Sequence, residues 1–247
     1  MNRSNARPLV EATYRREILT EADLAATCIA IIGSTRGLSR AELRLGRGEA
    51  WKNLLGLASE LRHLIAGGAD PLGEAFVAIR SADARRELGA VYTPFAIVNG
   101  MMSWLARQGS PARIVDPGAG SGRFILAAGE AFPDAQLVAV EMDPLAALML
   151  RANLSARGWI DRATVMVKDY REVKLPRCAG MTAFIGNPPY VRHHDIADDW
   201  KAWYASNFAD FGIKASALAG LHLHFFLQTR LLAKVGVGHG HGQAGGM

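Results

Sequence analysis

From Arg113 onward the chain repeats one pattern four times: a short β-prone run ends on a polar or acidic residue, and a segment of different period follows. Ile114-Val115 runs into Asp116, Leu137 to Val140 into Glu141, Thr164 to Val167 into Asp169, and Ala183 to Ile185 into Asn187. Such alternation predicts a parallel sheet covered by helices, an α/β architecture. The connection between the second and third strands carries signals at both ends: Asp143 can cap a helix, Pro144 fits its first turn and Gly158 can end it, which predicts a helix from Leu145 to Arg157. Open sheets of this kind bind ligands beyond the carboxyl ends of their strands, so the four polar strand ends mark where chemistry is expected.

Upstream, from about Tyr14 to Leu88, apolar residues fall at helical spacing through Ile18-Leu19, Leu24, Ile29 to Ile31, Leu54 to Leu57, Leu61, Leu64 and Phe76 to Ile79. Gly33, Gly37, Gly67 and Gly68 mark breaks between these helices. Downstream, Leu218 to Leu232 reads as a buried helix, and Gly236 to Met247 as a flexible low-complexity tail in which His239 and His241 are solvated. The expected division is a helical region over 1–85, a sheet domain over 86–236 and a tail over 237–247.

Composition sets bounds and little more. Hydrophobic residues at 50% and charged residues at 21% exclude a disordered or fibrous chain. A net charge of +5 suits a polyanionic partner, though many basic proteins never touch nucleic acid. The two cysteines, Cys28 and Cys178, lie too far apart in sequence to suggest a disulfide framework or a zinc site, so no metal is expected and a reducing, cytoplasmic setting is. Met1 to Pro8 does not read as a signal peptide. The most apolar stretch, Ala217 to Ala233, is interrupted by His222, His224, Gln228 and Arg230, and no membrane span is expected.

Three constellations carry chemistry. Asp116-Pro117-Gly118-Ala119-Gly120-Ser121-Gly122 sits between a strand and a helix, with glycines that let the backbone approach a ligand. Its spacing, Gly-x-Gly-x-Gly after Asp-Pro, departs from the dinucleotide fingerprint. Glu141, at the next strand end, can accept both hydroxyls of a ribose, so loop and carboxylate together read as a nucleoside site. Asp169-Tyr170 offers a carboxylate for an adenine amino group and a ring beside the base; a turn aspartate with a half-buried tyrosine is the equal alternative. Asn187-Pro188-Pro189-Tyr190 closes the fourth strand with a rigid turn. There the Asn187 side-chain oxygen and the Pro188 carbonyl can form a pair of acceptors suited to an NH₂ group, and Tyr190 supplies a face for a planar base.

In order and content these motifs resemble the gamma-class amino DNA methyltransferases, the adenine-specific modification enzymes of restriction systems. Arg86 to Pro94, with Tyr92-Thr93-Pro94, is similar to that family's N-terminal cofactor segment. The resemblance covers about Arg86 to Gly236. It implies a Rossmann-like class I S-adenosylmethionine-dependent methyltransferase sheet and transfer of a methyl group to the N6 amino group of an adenine flipped out of DNA. It also implies roles for residues: Tyr92 and Thr93 near the cofactor's methionine end, Asp116, Gly118, Gly120 and Gly122 shaping the cofactor loop, Glu141 at the ribose, and Asp169 with Tyr170 at the cofactor adenine. Asn187, Pro188 and Tyr190 would bind the target base.

The family continues past the helix matching Leu218 to Leu232 with further strands and a target-recognition domain. This sequence stops, so about four strands, a truncated form, low site-specific activity and an exposed apolar edge at Ala183 to Ile185 are expected. The glutamine methyltransferases of peptide release factors share the glycine loop and Asn-Pro-Pro-Tyr but usually lack the Tyr-Thr-Pro segment. A non-catalytic truncated remnant is the other alternative. His222 and His224 are expected to pack or to be solvated, while Arg192, His193 and His194 could meet DNA phosphate or form a solvated loop. Oligomeric state and DNA sequence preference are not set by the sequence.

Overall fold

The computed structural model describes residues 17–46, 50–80, 93–209 and 219–236. Tyr14, Tyr92, most of the 86–94 segment and the tail after Gly236 lie outside the described residues.

The first helix, α1 (Glu21–Ile32), is set by its ends. Thr20 Oγ1 accepts from Asp23 N at 3.2 Å while Asp23 Oδ2 accepts from Thr20 N at 2.9 Å, and Gly33 stops the helix in the left-handed region. Every residue from Leu24 to Ile31 is buried, as befits a helix surrounded by others. These are α2 (Arg40–Leu45), α3 (Leu55–Ala66) and α4 (Pro71–Ile79), the last capped by Asp70, whose side chain accepts from Gly73 N at 2.9 Å.

After α5 (Phe95–Gln108) the sheet begins. Strands β1 (Arg113–Pro117), β2 (Gln136–Glu141), β3 (Ala163–Val167) and β4 (Thr182–Phe184) are all parallel, in the order β3-β2-β1-β4. Helices α6 (Arg123–Ala131) and α7 (Pro144–Ala156) make the first two crossovers. Beyond β4 come α8 (Asp198–Ala209) and α9 (Leu221–Gly236).

Strand side chains alternate between the two faces, and the core divides accordingly. Ile114, Leu137 and Ala139 point into a cluster with Phe124, Ile125, Leu150 and Leu154; Val115, Val138 and Val140 point the other way, to Tyr170 and Phe225. Both faces of β1 and β2 are therefore covered, which explains runs apolar on both sides of the chain. A third cluster joins the upstream helices to the sheet: Leu24, Ile29, Leu61, Ile65 and Leu72 share a core with Leu145, Leu148, Met149 and Ala152 of α7. Each such buried side chain contributes about 1.5–3 kcal/mol relative to exposure, enough to fix the helical region against the sheet.

The α7 bounds agree with the sequence reading: Asp143 Oδ1 accepts from Leu145 N at 2.9 Å, Pro144 is the first residue, and Gly158 takes φ 71. One expectation is corrected. Among the described residues β4 pairs only with β1, so it is an edge strand, but Ala183 and Phe184 are half-buried and Ile185 is buried, because α9 lies over one face and the α5–α6 side over the other. His224 packs instead of facing water: its ring stacks on Tyr204 at 4.6 Å, and burial pushes its pKa down to about 4. Among the described residues no helix is long and apolar enough to cross a membrane.

Candidate active site

The carboxyl ends of β1 to β4 open onto one cavity of about 450 Å³, within the range of small-molecule sites. Gly118, Ala119, Gly120 and Ser121 after β1, Glu141 to Asp143 after β2, Lys168 to Arg171 after β3, and Asn187 and Pro189 after β4 line it, with Thr93 from the segment before α5.

The loop after β1 takes a path that favours glycine, with Gly118, Gly120 and Gly122 all at positive φ. Gly120 takes φ 57 with nothing within 4 Å of an added Cβ, so it leaves the backbone bare towards open space. Gly122, at φ 100, would place a Cβ onto Leu150 Cδ1, which forces the loop close to α7. The loop is held from below by Gly118 N and Ala119 N, each donating to Val140 O at 2.9 Å.

Glu141 braces that loop. Its Oε2 accepts from Gly120 N at 2.7 Å and its Oε1 from Asp143 N at 2.8 Å. Each oxygen keeps a second lone pair for an incoming donor, the arrangement two vicinal hydroxyls require. Burial pushes the Glu141 carboxyl above its ordinary value, and the backbone N–H donors oppose that shift.

Asp116 is fully buried, and its carboxylate makes no hydrogen bond to another side chain among the described residues. Burial first, and the negative charge of Glu141 further, push its carboxyl well above its ordinary value. It lies beneath the loop and does not line the cavity; a Cβ on Gly186 would come within 2.5 Å of its Oδ1, so the glycine before Asn187 makes room for it. Gly122 also lies outside the lining and acts through loop shape.

Asp169 is not a free acceptor. Arg171 Nε and Nη2 donate to its two oxygens at 2.9 and 2.6 Å, and Arg171 N donates at 2.9 Å, leaving one of a carboxylate's four lone-pair sites. The Arg171 guanidinium also lies 3.8 Å over the Trp200 ring, tying this corner to α8. Tyr170 is buried, hydrogen-bonded to Thr229 Oγ1 at 2.9 Å and stacked on Phe225 at 5.1 Å.

At the β4 end, Asn187 Nδ2 donates to Thr93 Oγ1 at 3.2 Å, which leaves the Asn187 Oδ1 as the acceptor of that amide. Thr93 O accepts from Arg123 Nη1 at 2.8 Å, so this threonine joins the turn after β4 to the helix after the glycine loop. Pro189 Cδ stands 3.1 Å from the place of a Cβ on Gly118, which brings the two loops into contact. Tyr190 is 58% exposed, its ring tilted against His222 at 5.8 Å, and neither it nor Pro188 lines the cavity.

The sequence reading did not select Phe76, Arg80, Met142, Asp143, Lys168, Arg171 or Phe225, all of which line the cavity. Asp143 was legible as a helix cap only. Phe76 and Arg80 stand four apart at the end of a helix far upstream, a spacing that says they share a face and nothing about what that face meets.

The family described as N-6 DNA Methylase matches residues 70–225. The Type II methyltransferase M.XamI of Xanthomonas campestris pv. amaranthicola is 69% identical over 226 residues, 88% of this chain and 41% of that protein. The tRNA1(Val) (adenine(37)-N6)-methyltransferase of Shewanella amazonensis is 35% identical over 96 residues, 39% of this chain and 40% of that protein. The chain thus spans well under half the length of the curated relatives it matches. Among solved structures, a Listeria monocytogenes protein described as a class I S-adenosylmethionine-dependent methyltransferase superposes with a TM-score of 0.53 at 12% identity, over 84% of this chain and 61% of that one, a likeness of fold.

Proposed function

This chain belongs to the N-6 DNA methylase family, and we propose that it carries the cofactor-binding and catalytic part of an adenine-specific DNA N6-methyltransferase that works in the cytoplasm. The cofactor is S-adenosylmethionine and the acceptor an adenine of DNA rotated out of its duplex. One observation carries the reading: Asn187 and Pro189 of the turn after β4 and Gly118 to Ser121 of the loop after β1 line one cavity together with a carboxylate, Glu141, that has a lone pair to spare on each oxygen.

The residues present suit the cofactor. The bare backbone at Gly120 admits close approach, Glu141 accepts the ribose hydroxyls, and Asp169 with Tyr170 borders the adenine end. Thr93 lines the end of the cavity assigned to the methionine portion of the cofactor. When bound, S-adenosylmethionine supplies an electrophilic methyl group on a sulfonium sulfur.

The chain's part in the transfer is to make a poor nucleophile better. An aromatic amine delocalises its lone pair into the ring. Asn187 Oδ1 and the Pro188 carbonyl accept its two hydrogens and favour a pyramidal nitrogen with a localised pair. Both acceptors gain strength as positive charge develops on nitrogen, so their help peaks in the transition state. Thr93 holds the Asn187 amide in that orientation through its Nδ2. The open face of Tyr190 stacks the flipped base, which contributes roughly 1–3 kcal/mol.

The test is product chemistry. The 247-residue chain is incubated with labelled S-adenosylmethionine and DNA lacking adenine methylation, and the DNA is digested to nucleosides. Label in N6-methyl-2′-deoxyadenosine is expected; label confined to cytosine, to tRNA or to a release-factor glutamine offered in parallel would overturn the assignment.

A further inference from the structure

The upstream helices reach the cavity. Phe76, in α4, and Arg80, at its C-cap, form a stretch of wall beside Met142, Asp143 and Met149. Arg80 is held on three sides: its Nε donates to Glu21 Oε1 at 2.6 Å, its Nη1 donates to Asp143 Oδ2, and its guanidinium lies 4.8 Å over the Phe76 ring. The side chain is only 13% exposed, and Asp143 15%, so this ion pair is shielded in a way that a surface pair is not.

Asp143 in turn serves three partners. Its Oδ2 accepts from Arg80, its Oδ1 accepts from Leu145 N to cap α7, and its backbone N donates to Glu141 Oε1. A continuous chain of charge-assisted contacts thus runs from α1 through Arg80 and Asp143 to the carboxylate on the cavity floor. We propose that Arg80 is a positioning residue of the cofactor site, acting through Asp143 to orient Glu141 and to offset the negative charge beside it, with Phe76 as the apolar wall of the nucleoside end. The inference rests on the reading of Glu141 as the acceptor of ribose hydroxyls.

Charge balance gives it a sign. Glu141 faces Asp143 on its own loop, Asp116 beneath it from β1, and Lys168 and Asp169 across the cavity after β3; Arg123 of α6 lines the same space, and Glu21 of α1 stands behind Arg80. Burial already favours the protonated carboxyl, and the charge of Asp143 pushes the same way. Arg80 is the cation bonded to Asp143. Without it, Glu141 needs a higher pH to ionise; without the Asp143 charge, a lower one suffices.

The experiment is calorimetric titration of the full chain with S-adenosylmethionine across pH 5 to 9, with melting temperature recorded for each variant. Titration of the ligand itself is common to all variants and drops out of the comparison. Arg80→Met is expected to weaken binding about tenfold at neutral pH, to move the acid limb of binding to higher pH, and to add nothing in a Glu141→Ala background. Arg80→Lys restores most of the affinity. Asp143→Asn keeps an oxygen for the α7 cap, so it serves even if Arg80→Met does not fold, and it moves the acid limb the opposite way, to lower pH. An acid limb unmoved in Asp143→Asn, or an Arg80→Met loss that persists undiminished without Glu141, overturns the inference while leaving the cofactor reading intact. A wild-type chain that binds no S-adenosylmethionine, or a Glu141→Ala chain that binds it normally, overturns both.

Discussion

Glu141→Ala isolates the claim that this carboxylate holds the cofactor's ribose. In the structure its two oxygens each engage one backbone N–H, from Gly120 at 2.7 Å and Asp143 at 2.8 Å, and each retains one site for a ribose hydroxyl. The alanine variant loses those hydrogen bonds to a charged acceptor, which contribute about 1.5–3 kcal/mol. That corresponds to roughly 12- to 160-fold weaker binding. The fold should survive: the variant leaves two backbone N–H groups unpaired, but it also removes a buried carboxylate whose ionisation burial opposes. Isothermal calorimetry with S-adenosylmethionine measures the affinity, and a thermal melt checks folding. A folded variant that binds within twofold of wild type would refute the role given to Glu141.

Asn187→Ala should lower methyl transfer by roughly 10²–10³ while cofactor affinity stays within a few fold, since its Oδ1 is assigned to the target amine; single-turnover rates beside calorimetry separate the two. Asp116→Asn should flatten the pH dependence of stability. A carboxyl raised in the folded state keeps a proton that the unfolded chain has lost, so wild-type stability falls as pH rises from the ordinary carboxylate range through the raised value, by up to about 1.4 kcal/mol per pH unit. Denaturant melts across that window read the difference, and equal slopes in both proteins contradict the burial of a strained carboxyl. Gly122→Ala combines a backbone at φ 100 with a Cβ on Leu150, and should cost about 2–4 kcal/mol of stability in urea unfolding.

The strand ends were legible because a parallel sheet writes itself as short apolar runs that end on polar or acidic residues: Asp116, Glu141, Asp169 and Asn187 each stand at or near the ends of their strands. The helix Pro144–Ala156 was legible for a different reason, since a cap, a first-turn proline and a closing glycine act within the segment itself. What the sequence hid is long-range. Nothing local tells that Phe76 and Arg80 stand at the cavity, because their place depends on α1 to α4 packing on α7 through Leu24, Leu61 and Met149. Nor does the pair Asp169-Tyr170 tell that Arg171 occupies most of the carboxylate, or that Tyr170 is spent on Phe225 and Thr229. At β4 the same cause hides part of the apolar surface expected there: the strand is an edge strand among the described residues, but α9 lies over one of its faces from more than thirty residues away in sequence.

The central claim is that one cavity at the sheet's carboxyl edge holds the methyl donor with its reactive end towards the Asn187 turn. A crystal structure of this chain with S-adenosylmethionine tests it most directly. The account predicts the ribose hydroxyls within hydrogen-bonding distance of both Glu141 oxygens, the nucleoside against Met142 and Phe76, and the methyl group directed to the side of Asn187 and Pro188. A ligand seated elsewhere, or reversed so that its methionine end lies at Glu141, would contradict it.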